Sequence, residues 1–111
     1  MKLMAERVAQ EFERAQEARA TGNEGRARVC ARRAAAFAIG AWVDLPASGW
    51  SVPKRLQAVA RDARFSADVR AAAHHLTLRV TSDHQLPVDA DPLADAQLLV
   101  RHFLRNAESP E

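Results

Sequence analysis

EGRARVCARRAAAFAIGAWV, residues 24–43, decides the fold. Its small residues Ala27, Cys30, Ala31, Ala34, Ala35, Ala38 and Ala41 recur at three- and four-residue steps, the period of a helix with one buried face. Small side chains on that face let a second helix approach closely. Phe37, Ile39 and Trp42 widen the apolar surface toward the C-terminal half, which predicts a helix covered on two sides. The same bias runs through the chain: 24 of 111 residues are alanine, the best helix former and a poor strand former. No run alternates Val, Ile, Thr or aromatic residues, so an all-β or α/β fold is excluded.

Upstream, Met4, Val8, Phe12 and Ala15 give residues 2–20 one apolar face, with Arg7, Glu11 and Arg14 expected on a solvated face opposite. Thr21-Gly22-Asn23 interrupts the pattern: Gly22 suits a left-handed helix end and Asn23 can cap the next helix. So short a joint predicts an antiparallel hairpin. Downstream, DLPASGWSV (44–52) reads as a loop, and Pro53 fits the first turn of a third helix carrying Leu56, Val59, Ala60 and Ala63 to near Phe65. Ser66 is a candidate cap for a fourth helix with the stripe Val69, Ala72, Ala73, Leu76 and Val80; the third and fourth segments read equally as two helices or one kinked helix. After the irregular stretch 81–91, Asp91-Pro92 starts a last helix on Leu93, Ala96, Val100, Phe103 and Ala107.

These elements predict one all-α domain over residues 1–106, an antiparallel up-and-down bundle of four to five helices, with a flexible tail at 107–111. The expected core is Val8, Phe12, Ala34, Ala38, Leu56, Val69, Leu76, Val100 and Phe103. A 111-residue bundle buries one face of each helix but not nearly all of one, so the apolar residues around the second helix predict a homodimer through the second or last helix.

Composition removes several functions. A net charge of +2 forces no polyanion partner. Single Cys30 excludes an internal disulfide and a cysteine zinc site, and its place on the apolar stripe makes it a small buried hydrophobe. His74, His75, His84 and His102 form neither HExxH nor Glu-x-x-His, so no metal is expected; no glycine-rich phosphate loop exists among 4 glycines, and no cofactor is expected. No apolar stretch reaches membrane-spanning length, and a cytoplasmic protein without membrane contact is the expectation.

Two groups of residues remain. Arg26, Arg28, Arg32 and Arg33 crowd the second helix, either as a solvated face or as contacts to nucleic acid or nucleotide, whose phosphate oxygens match guanidinium forks. Arg79 and His84 are separated by four residues, and Arg70 and His75 repeat that spacing as reserves. Arginine with histidine is what metal-free phosphodiester cleavage requires: the imidazole moves a proton near neutral pH and the guanidinium holds growing phosphate charge. With 14 Arg and 4 His in 111 positions, chance alone supplies roughly 1.5 pairs across the three nearest spacings, so spacing does not identify a motif.

The whole layout resembles the HEPN domain family of prokaryotic helical bundles over about residues 5–103. The similarity lies in the charged first helix, the Gly22-Asn23 turn, RARVCARRAAAFAIGAWV, the proline-bearing loop, the Arg/His-bearing end of the fourth helix and DPLADAQLLVRHF. The resemblance implies a dimeric four- or five-helix bundle, a small nucleotidyltransferase as partner in a toxin–antitoxin-type module, and either a catalytically silent bundle or a metal-independent RNase working through Arg79 and His84. Val80 stands where active members usually carry a polar residue after the arginine, and tyrosine is absent. Gly22, Ala34, Ala41 and Pro46 also fall at the spacing of a single tetratricopeptide-type hairpin, which implies a non-enzymatic adaptor for a protein or peptide.

Overall fold

Capping chemistry sets the helix boundaries. The computed structural model describes residues 2–42, 51–78 and 90–108, with side chains over 6–40, 51–78 and 90–105. Among these residues there are five helices and no strand: α1 (Lys2–Ala20), α2 (Glu24–Trp42), α3 (Val52–Arg61), α4 (Ala67–His75) and α5 (Pro92–Glu108). Gly22 takes φ +82, which admits two bonds that close α1: Gly22 N–H to the Arg19 carbonyl at 3.0 Å and Asn23 N–H to Ala18 at 2.7 Å. Asn23 Oδ1 then accepts from Arg26 N at 3.1 Å and opens α2.

The third and fourth segments are two helices. Asp62 leaves the helical region at φ −89, ψ 110, and Ser66, in extended backbone, accepts from Val69 N at 3.3 Å. Ser51 does the same for Lys54 N, so α3 begins one residue before Pro53. α4 ends at His75, short of the expected Val80. Thr77 and Leu78 donate to the carbonyls three residues back, a tightened last turn, and the Thr77 hydroxyl takes the His74 carbonyl at 2.7 Å. At the last helix, Asp91 Oδ1 accepts from Leu93 N at 3.1 Å beside Pro92. α5 continues to Glu108, into the stretch expected as a tail.

The small-residue face of α2 lies at the centre. Ala27, Ala31, Ala34, Ala35 and Ala38 are fully enclosed, α1 and α5 pack closely against α2, α3 lies against its later turns, and α4 lies along α5. Val8, Leu56, Val69, Leu76, Leu99 and Phe103 fill the core, while Phe12 and Val100 are half-buried against it. A radius of gyration of 13.4 Å is compact for this length, for which about 13 Å is expected of a folded chain. Arg55 reaches across from α3 to the Ala36 carbonyl at 3.0 Å; a Cβ on Gly40 would stand 2.9 Å from that guanidinium, so glycine at 40 leaves the crossing open.

One expected surface residue is inside. The sequence places Glu11 with Arg7 and Arg14 on the solvated face, but its side chain is buried, with the residue 6% exposed. At 100° per residue Glu11 falls between the buried Ala15 and Ala18 on the inner side. Arg14, one turn on, pairs with Oε1 at 2.8 Å, and Oε2 is buried without a partner. No helix among the described residues is long and apolar enough to cross a membrane.

Candidate functional site

Three long-range contacts define one end of the molecule. Arg19, at the end of α1, bridges Glu24 at the start of α2 (2.9 Å) and Asp91 just before α5 (2.8 Å). Arg28, in the second turn of α2, reaches the carbonyls that finish α4. His75, the last residue of α4, places Nδ1 3.2 Å from Oδ2 of Asp95, in the first turn of α5. The end of α1, the start of α2, the end of α4 and the start of α5 therefore meet, and the sequence between Leu78 and Ala90, with Arg79 and His84, joins two of these termini.

Arg28 is 7% exposed, unlike a solvated arginine. On the helical wheel it lies with Ala35 and Ile39, seven and eleven residues on, inside the buried sector. Its Nη2 donates to His75 O (3.5 Å), Leu76 O (3.4 Å) and Leu78 O, while Nη1 is buried without a partner. These carbonyls are acceptors that a helix C-terminus leaves open, and a cation there also complements the helix dipole. Burial lowers the affinity of Arg28 for its proton, and the nearby Arg32 charge adds to that; burial lowers Arg32 likewise.

His75 and Asp95 share a partly enclosed contact, with side chains 31% and 18% exposed. Burial raises the Asp95 carboxyl above the ordinary range, and the charges of His75 and Arg28 oppose that shift. Asp91 behaves in the opposite sense: its hydrogen bonds from Arg19 hold its carboxyl below the ordinary range.

The four arginines of α2 divide. Arg26 and Arg33 are exposed, Arg32 is half-buried with Nε unpartnered, and Arg28 faces the α4 terminus. The reserve pair separates as well: His75 joins the meeting of helix ends, while Arg70 is half-buried on α4 with Nε unpartnered. Arg79 and His84 lie outside the described residues. Asp95 was not singled out in the sequence, where it reads as an ordinary first-turn carboxylate; only the folded contact with His75 distinguishes it. Among the described residues no group of three or more His, Cys, Asp or Glu is placed to hold a metal ion. Cys30 is a free thiol within the core.

The Asp91 arrangement predicts an acid-limb effect. A depressed folded carboxyl contributes stability above its unfolded pKa and loses it as pH falls through the folded value. Asp91→Asn keeps an oxygen for the α5 cap but removes the charge paired with Arg19. Because the pair is largely exposed, the variant is expected to lose no more than about 1 kcal/mol at neutral pH. Below about pH 4 that difference from wild type should shrink. Urea titrations at pH 7 and pH 3 test this; a difference that grows toward pH 3 contradicts it.

Compared with protein-family models, curated proteins and solved structures, the chain shows no significant match.

Proposed function

We propose that this chain is a HEPN-like helical bundle that engages RNA at the end where α1, α2, α4 and α5 meet, as a homodimeric partner of a small nucleotidyltransferase in a toxin–antitoxin-type module. The architecture supports this reading in outline: a hairpin of α1 and α2, a third limb broken into α3 and α4, and α5 returning beside α2. The observation that carries it is the meeting of Arg28, His75 and Asp95 at the termini from which the sequence bearing Arg79 and His84 departs.

The chemistry in this reading needs no metal. Arg79 neutralises the phosphoryl oxygens and His84 moves a proton, while the exposed Arg26 and Arg33 meet phosphates further along the strand. A ribose 2′-hydroxyl attacks its own phosphate, leaving a cyclic phosphate on one fragment and a 5′-hydroxyl on the other.

The test is cleavage of a labelled oligoribonucleotide in excess EDTA by wild type and by His84→Ala, alongside RNA binding by fluorescence anisotropy. Wild type is expected to bind and cleave, and His84→Ala to bind with cleavage reduced about 100-fold or more. Equal cleavage in both proteins moves the site elsewhere, and no RNA binding by wild type overturns the reading.

A further inference from the structure

We infer that the face formed by α1 and α5 binds a second copy of this chain, the acidic α1 of each protomer lying against the basic α5 of its partner. The inference rests on the homodimer in the reading above and gives it an interface; it uses none of the RNA chemistry. Two observations carry it: an apolar seam that its own chain covers incompletely, and charges of opposite sign on the two sides of that seam.

Both α1 and α5 lie along α2, and they touch each other only slightly. Phe12, Val100 and Leu104 pack against the core, yet each is only half-buried. At 100° per residue Phe12 stands at the edge of the buried sector of α1, close in angle to Arg19. Arg19 reaches Asp91 just before α5, so this edge of α1 turns toward α5. On α5, Asp95 and His102 face His75 of α4 and Phe65, which leaves Val100 and Leu104 on the opposite edge, toward α1.

Beyond the seam the two helices differ in charge. The exposed side of α1 carries Glu6, Glu13 and Glu17 within a sector of about 40°, and Arg7, Arg14 and Arg19 fall outside it. The exposed side of α5 carries Arg101 and Arg105 beside Ala94 and Gln97, with no acid among them. Among the described residues none of these five charges has an ion pair.

Such a face is complementary to itself. A two-fold axis parallel to the helices lays seam on seam and sets α1 opposite α5 of the partner, acid to base. An axis across the helices sets α1 against α1 and opposes like charges. From the Arg19–Asp91 bridge α5 runs antiparallel to α1, so Glu6 and Glu13 stand within about a turn of the level of Arg101 and Arg105. Exposed ion pairs are individually weak. Covering Phe12, Val100 and Leu104 therefore supplies the attraction, and the charges choose the orientation.

The test is sedimentation equilibrium of the full chain at tens to hundreds of micromolar. Wild type is expected to be a dimer at about 0.05 M salt and to dissociate about tenfold more readily at about 0.5 M. Glu6→Arg with Glu13→Arg should be monomeric, and so should Arg101→Glu with Arg105→Glu. All four side chains are exposed, so both proteins should melt within a few degrees of wild type. Mixed in equal amounts they should form a heterodimer, because both contacts again join opposite charges. If a reversed protein does not fold, Glu6→Gln with Glu13→Gln takes its place and should weaken the dimer about tenfold. A wild type that stays monomeric at low salt overturns the inference and leaves this face to solvent or to a different protein, while RNA anisotropy on the same sample judges the RNA reading separately. A dimer that survives both reversals overturns the interface and keeps the homodimer. Two monomeric variants that fail to recombine overturn the pairing of α1 with α5.

Discussion

Truncating Phe103 to alanine is expected to lower the free energy of unfolding by about 3–5 kcal/mol. The ring is fully buried on α5 and meets Phe65 edge to face, with centroids 5.3 Å apart and planes at 69°. Phe65 belongs to the turn between α3 and α4, so this pair fastens the broken third limb to α5. Removing the ring loses its transfer energy and leaves a cavity that the surrounding core refills only in part. Domains of this size are held by only about 5–15 kcal/mol, so the variant forfeits a large part of its stability. Phe103→Leu refills most of the space and should cost about 1 kcal/mol. Urea denaturation with an unchanged m-value checks both; a loss below about 1 kcal/mol in the alanine variant contradicts the assignment of Phe103 to the core centre.

Much of the fold was legible because it is encoded locally. Gly22 with Asn23, Ser66 and Asp91 with Pro92 are each a short signal with its own hydrogen bond, and each produced the boundary expected of it. The alanine stripe of α2 was legible for the same reason: a period of 3.6 survives without knowledge of its partners. Tertiary contacts supplied what the pattern lacked. Glu11 and Arg28 look like surface residues by chemistry and fall in buried sectors by angle. Charge argues for the surface and angle for the interior, and the fold follows angle because each residue finds a partner there. The early end of α4 has the same cause, since nothing local marks His75 as terminal while the bonds at Thr77 and from Arg28 do.

The candidate site was legible only in its residue types. Arginine and histidine at short spacing pointed to phosphate chemistry, and His75 stood among the reserves for that reason. Its carboxylate partner lies 20 residues away on another helix, a relation that no spacing rule reaches. The four arginines of α2 show the converse. They read as one basic group, yet the fold gives them different work, and mutation separates them.

Arg28→Met is expected to destabilise the chain by about 1.5–3 kcal/mol. Methionine fills the volume along the same path but donates no hydrogen, so the carbonyls of His75, Leu76 and Leu78 lose a shared donor at a helix end. Relief of burying a guanidinium works in the opposite direction, and it is the reason the expected loss stays below that of Phe103→Ala. The damage should be local first. Hydrogen exchange at Thr77 and Leu78, whose amides bond to carbonyls of the same turn, is expected to quicken before exchange in α2 does. RNA affinity in the folded variant should change little, because Arg28 is enclosed. Arg26→Ala with Arg33→Ala should leave stability within about 0.5 kcal/mol while flattening the salt dependence of binding. Denaturation and salt-dependent anisotropy on the same two proteins separate the roles. If Arg28→Met weakens RNA binding at full stability, the guanidinium belongs to the phosphate surface and α4 is closed by other means.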